Sequence, residues 1–517
     1  MVGIRPTIPI VAIIVCLAVA GCGGSDSANS DLAGIAPPGS LVFAEAKLKP
    51  RGAPKENLDG VAFGIAGIND LRAFLVAELE RSARKEGEPL DFAKEVEPWL
   101  GERAAVAFDR LKEGKLSDPL IAVETTDPRA VRAFIDERTQ KSKGSFEDAS
   151  YEGVEFWVGG AEGKAFGVID KTLVIAAGEG EFKAAVDAAD GDSLGDEDRF
   201  QEAMGAAADG SFANIYADLG GVVEQSGGGI DPQAREILAS IGVDPTEATA
   251  VASVIPLGQQ IEVDLSSSLG GEMAPSGDAS KLLGSLPGTA FGAVAFSGVG
   301  EQLEKAIDKI DASGIPPNLP PGELKSRLSN AGIDIDKIAA SLEDGAIFAE
   351  GTDRRSLRGG LVLTTDGSDE ATRAVAGLGT LLRDAKVPGV TAVGSQASGF
   401  SIDSPKLGDK PVVVVTRGDR IAIGYGLGPA LAGLDADLST TLSGYPSYEI
   451  AVSELGDIPI SAYFGGPETR SLAEVLVPRS EDSFWSIAPY LKFTYIALGT
   501  GTDGDLATAK LVLGIGT

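Results

Sequence analysis

Two stretches of this chain, about 245 residues apart, carry the same succession of local patterns in the same order, and that constrains the fold more than anything else. Leu90–Phe108 (LDFAKEVEPWLGERAAVAF) resembles Gly332–Ala349 (GIDIDKIAASLEDGAIFA): an acidic helical run, a Leu, an acidic turn, then a small apolar strand. Leu120–Ile135 resembles Leu361–Leu378, each a strand ending in Thr-Thr-Asp ahead of a helix. Tyr151–Trp157 matches Ala397–Ile402 around Gly153 and Gly399, Lys171–Ala176 matches Asp419–Gly424, and Ser211–Asp218 matches Ile458–Gly465. No single match is compelling, but their collinearity predicts a duplicated chain. Its lobes are expected at 37–269 and 283–517, joined by a linker at 270–282.

Each lobe reads as strands joined by hairpins, with helices in separate blocks. Ser40–Lys47 alternates apolar residues and predicts a strand. Asp70–Arg84 puts Leu71, Phe74, Leu75 and Leu79 at helical spacing, and Gln302–Ile310 is its counterpart. Asp127-Pro128 is a helix start, an Asp cap followed by Pro at the first helical position. Lys164–Ala177 predicts two strands turning at Asp170-Lys171. Closing hairpins are expected at Ala248–Ile255 with Gln260–Ser266 and at Phe493–Leu498 with Leu506–Leu513. The fold class is therefore α+β: two duplicated lobes, each an antiparallel sheet with helices packed on it. A strict alternation of strand and helix is absent, which argues against a doubly wound parallel sheet.

The N-terminus says where the chain goes. Arg5 precedes an apolar run from Ile8 to Ala20, too short for a bilayer-spanning helix of about 20 residues. It ends in Leu17-Ala18-Val19-Ala20-Gly21-Cys22, which resembles the lipobox of bacterial lipoprotein signal peptides. The expectation is a signal peptide over 1–21, a diacylglyceryl thioether on Cys22 and a protein held on the outer face of the bacterial cell membrane. Gly23–Ala36, rich in Gly, Ser, Asp and Ala, reads with Cys22 as a flexible tether over 22–36.

Net charge is −32, from 44 Lys and Arg against 76 Asp and Glu, which argues against nucleic-acid partners and favours solubility. Cys16 leaves with the signal and the lipid blocks Cys22, so the mature body has no thiol for a disulfide. There is no histidine. That removes Ser-His-Asp and Cys-His catalysis and every His-ligated metal site.

Several strings imitate motifs. Gly191-Asp192-Ser193-Leu194-Gly195 fits the nucleophile elbow, but a serine nucleophile needs a base and no histidine exists, so a polar loop is expected. Ser82-Ala83-Arg84-Lys85 continues an amphipathic helix and has no companion motif. Gly499-x-Gly501-x-x-Gly504 lies between two strands with no helix to receive a pyrophosphate, hence a hairpin loop. Asp190–Asp198 offers oxygen donors without the spacing of a calcium loop. Trp99, Trp157 and Trp485 read as core anchors.

Pro37-Pro38-Gly39-Ser40-Leu41-Val42-Phe43, Glu97-Pro98-Trp99-Leu100-Gly101 and Val123-Glu124-Thr125-Thr126-Asp127-Pro128 make the body, from Pro37 to the C-terminus, similar to the bacterial family called domain of unknown function 3352. The resemblance implies an exported, often membrane-attached protein and no activity, so no catalytic residue is carried over. The expected function is a non-enzymatic envelope lipoprotein with a binding or interaction surface, without catalytic residue, metal or cofactor. The alternative is a carrier of a lipid or other apolar ligand in a cavity between sheet and helices. A carboxylate-only hydrolase would need two convergent carboxyls about 5–9.5 Å apart.

Overall fold

A computed structural model describes residues 31–516, except 86–88, 142–145, 160–162, 227–245, 247, 270–276, 314–321, 324, 327–328, 330–333, 354–355, 368, 395–396, 436–440 and 477–491. The chain divides into two compact units. One runs from 1 to 273 and takes in 502–509 and 515–517; the other comprises 274–501 and 510–514.

The first unit contains β1 (Val42–Lys47), β2 (Leu100–Phe108), β3 (Arg110–Lys112), β4 (Lys115–Ser117), β5 (Leu120–Thr125), β6 (Phe146–Tyr151), β7 (Val154–Gly159), β8 (Lys164–Ile169), β9 (Thr172–Ala176), β10 (Ala213–Asp218), β11 (Thr249–Pro256) and β12 (Gln260–Ser267). β3 and β4 form a separate ribbon. The others pair in the order β12-β11-β10-β1-β2-β5-β9-β8-β7-β6, every pair antiparallel.

Both faces of this sheet are covered, because its central strands β5 and β9 are buried at nearly every position and successive side chains point to opposite sides. On β9, Val174 and Ala176 enter one core with Phe43, Phe182, Leu194, Phe200 and Tyr216. Leu173 and Ile175 enter the other with Trp99, Phe134, Ile135 and Phe166. Helices Leu71–Lys85 and Pro128–Lys141 supply side chains to the second core, and Glu179–Asp190 and Asp198–Gly205 to the first.

The expected helix start at Asp127-Pro128 forms through side-chain hydrogen bonds. Asp127 Oδ1 accepts from the amides of Arg129 (3.0 Å) and Ala130 (3.1 Å), which otherwise lack partners in a first turn. Thr125 Oγ1 donates to the Trp99 carbonyl at 2.8 Å and accepts from the Asp127 amide at 3.1 Å. The turn at Asp170 also forms, with Asp170 at φ 49°.

The flexible tether expected over 22–36 is corrected at its C-terminal end. Leu32, Ala33, Ile35 and Ala36 are buried in the first core, and Ala33–Ile35 form a 3₁₀ turn. Leu32 and Ile35, three apart, fall on one side of that turn and find Leu194 and Phe200 as core neighbours. The expected linker is also too long at its far end. Helix Ser280–Gly284 buries Leu282 and Leu283 in a core of the second unit.

The second unit contains β13 (Ala290–Phe296), β14 (Leu342–Glu350), β15 (Arg358–Thr365), β16 (Val390–Val393), β17 (Ser398–Ile402), β18 (Val412–Arg417), β19 (Arg420–Tyr425), β20 (Ile460–Gly465) and, up to residue 501, β21 (Phe493–Asp503); β21 turns at Gly504 into β22 (Leu506–Ile515), of which 510–514 belong to this unit. The pairing order is β21-β20-β13-β14-β15-β19-β18-β17-β16, again antiparallel throughout. One core gathers Leu282, Leu283, Leu286, Phe348, Tyr448 and Tyr463. A smaller one, under helix Asp369–Asp384, gathers Leu342, Val375, Phe400 and Ile421.

Candidate functional site

Cys22 and Trp485 lie outside the described residues. Trp99 is a core residue as expected, buried and donating from Nε1 to the Glu95 carbonyl at 2.6 Å, whereas Trp157 is partly buried, packs against the same core and stacks on Phe166. Ser82 sits within helix Leu71–Lys85, and Gly499–Gly504 spans the end of β21 and its turn.

Ser193 departs from its expectation. It is 2% exposed, not an open loop residue, and its hydroxyl donates to Asp196 Oδ2 at 2.6 Å. Its amide donates to the same oxygen at 3.0 Å. The pair is a capping box on the 3₁₀ turn Leu194–Asp196, held down by fully buried Leu194. The serine side-chain and backbone hydrogen bonds keep the Asp196 carboxyl below its usual pKa, so it is a poorer base than an ordinary carboxylate. This geometry stabilises a turn and does not activate a nucleophile.

Two clefts concentrate polar groups. One of 330 Å³ in the first unit is lined by Arg199, Thr249 and Ser266 to Ser268. Arg199 pairs with Asp218, Thr249 Oγ1 lies 3.3 Å from Ser268 Oγ, and Ser267 Oγ donates to the Thr249 carbonyl at 2.9 Å. Thr249, Ser267 and Ser268 thus hold the paired ends of β11 and β12 together. The other, of 570 Å³ in the second unit, is lined by Asp278, Glu301, Glu304, Glu343 and Asp344. Burial, then Glu343 and Asp278, raise the Asp344 carboxyl. Among the described residues no set of three such side chains is arranged to hold a metal ion. The first cleft lies between helix Asp198–Gly205 and strands β11 and β12, with Ala203, Ala206, Val251 and Leu506 also in its lining.

One titratable group was not singled out from the sequence. Glu45, in the middle of β1, is largely buried, and desolvation pushes its carboxyl up to about 7 against the opposing pull of Arg103 and Lys47. Arg103 Nη1 stands 3.5 Å from Oε1, while Oε2 is buried without a hydrogen-bond partner. An acid within the alternating apolar run Val42–Lys47 was the available signal.

The feature best suited to binding is a face of the second sheet on which large apolar side chains are exposed. Val294 on β13 pairs with Ile347 on β14 and Ala462 on β20, and Ile347 pairs with Leu361 on β15. Ile347 is 54% exposed, Val294 40% and Phe296 37%. The Phe296 ring lies over Gly345, where a Cβ would meet ring carbons at 2.5 and 2.6 Å. That glycine lets the aromatic ring lie against the neighbouring strand. Sequence reasoning could not separate these positions from core, because a buried strand and an open one carry the same residues.

A family model described as "Protein of unknown function (DUF3352)" matches residues 75–417, and the chain belongs to that family. No curated protein matches it. Two solved structures, crystal forms III and I of TP0453, align at 11% and 10% identity, covering 79% and 80% of this chain and 98% of theirs. Their TM-scores of 0.17 are too low to carry an argument.

Proposed function

We propose that this is a membrane-anchored extracytoplasmic bacterial lipoprotein, attached through Cys22, that acts by binding and not by catalysis. Its binding surface is the apolar face formed by Val294, Phe296 and Ile347. The observation that carries the reading is the exposure of these three large side chains on adjacent paired strands, a position that ordinarily faces a core. The Ser193 string, the strongest catalytic imitation, has its hydroxyl committed to a capping box.

The proposal includes duplication of the two lobes. In its support, β1, β2, β5, β9, β8, β7 and β6 succeed one another across the first sheet as β13, β14, β15, β19, β18, β17 and β16 do across the second. The strand-to-helix joins correspond in detail. Thr125 and Thr365 take amide bonds to the carbonyls of Lys171 and Asp419, both at 2.8 Å. The following residues, Thr126 and Asp366, donate to Trp99 and Ser341, both at 2.9 Å. A register irregularity follows the Leu100–Thr125 pair, and another follows Leu342–Thr365. The buried 32–36 segment has a partner in 282–286: Leu194 donates to the Ala36 carbonyl and Leu442 to that of Leu286, each at 2.9 Å.

The binding surface is tested with Nile red, a neutral apolar dye whose fluorescence rises in a dry site. The protein is expected to bind it, and Val294→Ser/Ile347→Ser to lose most of the signal while keeping its circular dichroism. Equal dye binding by both proteins would refute this surface.

A further inference from the structure

Helices Ala53–Ala66 and Leu71–Lys85 form an elbow bent by 65°. No single helix among the described residues is long and apolar enough to cross a membrane, whereas this pair passes that test together. At 14 and 15 residues each helix is about 22 Å long, short of the roughly 30 Å hydrocarbon core. Such an element can lie in a bilayer surface but not span it.

The charges around the bend of the elbow are paired. Lys55 Nζ bonds Asp59 at 2.5 Å and Asp70 at 3.3 Å. Asp59 accepts from the Leu71 amide at 2.9 Å, and Asp70 from the Ala73 amide at 2.8 Å. Arg72 pairs with Glu97. Gly67, at φ 71°, ends the first helix and lets the chain reverse. Gly60 and Gly64 set the first helix close to its support, where a Cβ would come within 2.8 Å of the Gly258 carbonyl and 2.5 Å of Ile515 Cγ2. From Val61 to Ala77 the only charged residues are Asp70 and Arg72, both paired. The exposed residues of that stretch include Phe63 (52%), Phe74 (42%), Ala66, Ala73 and Ala77.

We propose that this elbow is a second membrane contact, with Phe63 and Phe74 inserting at the level of the lipid headgroups and upper acyl chains. The inference rests on the reading of Cys22 as the lipidated residue. Leu32, Ala33, Ile35 and Ala36 are buried in the core, and the chain from Cys22 to Asp31 can reach at most about 30 Å from a lipidated Cys22. The body is thus held against the bilayer. Charge selects the same element. The chain carries −32, yet Ala53–Lys85 holds five Lys or Arg and five Asp or Glu. It therefore offers the bilayer a neutral, apolar surface in an otherwise repelling protein.

The test uses the full mature chain from residue 22 with Cys22→Ala, so that no lipid is attached, and phosphatidylcholine vesicles in a flotation assay. This protein is expected to float with the vesicles. Phe63→Asp/Phe74→Asp should weaken its partition by about tenfold or more, while Phe63→Leu/Phe74→Leu retains it. Circular dichroism and light scattering accompany each variant. Failure of the unlipidated chain to float, or equal flotation of the Asp variant, overturns the membrane contact. So does Phe-dependent dimerisation without flotation, which would assign the surface to a second copy. The Cys22 reading fails separately, by the mass of the mature N-terminus.

Discussion

Replacing Glu45 by Gln should flatten one component of the pH dependence of stability. A carboxyl whose folded pKa is raised holds its proton longer in the folded than in the unfolded chain. Its ionisation therefore costs stability as pH climbs from 4.5 to about 7, and the cost stays constant above that. At about 1.4 kcal/mol per pH unit the full interval amounts to about 3 kcal/mol, and somewhat less from pH 5 upward. The origin is the burial of Glu45 Oε2 without a partner, which the Arg103 guanidinium 3.5 Å from Oε1 offsets in part. Asp31 and Glu124 push the same way as burial. The assay is urea unfolding at pH 5 and pH 8 in a Trp485→Phe background, leaving Trp99 and Trp157 to report the first unit. The stability of Glu45→Gln relative to the parent should rise by about 2–3 kcal/mol between the two pH values. A relative stability that is the same at both would refute the argument, since every other titrating group cancels in that comparison.

Leu32→Ala and Ile35→Ala should each lower the stability of the first unit by about 2–4 kcal/mol in the same assay, where a flexible tether would give none. Ser193→Ala should lower the melting temperature, from a loss of about 1 kcal/mol, and neither it nor the parent should react with a fluorophosphonate. Labelling at Ser193 would restore a hydrolase. Thr125→Val and Thr365→Val should each cost about 1–2 kcal/mol in their own units, because each hydroxyl donates to a carbonyl beside its strand-to-helix join, Trp99 for Thr125 and Asp419 for Thr365. A large loss at one and none at the other would argue against equivalent joins.

Much of the fold was legible where local chemistry and tertiary packing agree. Asp127-Pro128 carries both a cap and a fixed φ, and the helix begins there. The Lys164–Ala177 hairpin turns at Asp170 because an Asp tolerates positive φ, which it adopts. The 32–36 segment was misread because Gly, Ser and Ala dominate its neighbourhood, while burial is decided by two side chains, Leu32 and Ile35. Ser193 was misread for the converse reason: its acidic neighbours suggest solvent, yet one of them, Asp196, turns back to bond it. The candidate surface was least legible. Val294 and Ile347 are ordinary strand residues, and only their exposure in the folded chain marks them as a candidate surface. The second helix of the elbow was legible over 70–84 from its spacing, which groups Phe74 with Leu71, Leu75 and Leu79 and gives no sign that Phe74 is exposed.

The central claim is that this protein is bound to a membrane by Cys22, and the most direct test is the mass of the mature N-terminal peptide from membranes of cells expressing the full chain. The account predicts a chain beginning at Cys22 with a diacylglyceryl thioether, and an unprocessed or released form for Cys22→Ala. A mature chain with a free Cys22 thiol, or one beginning elsewhere, would contradict it.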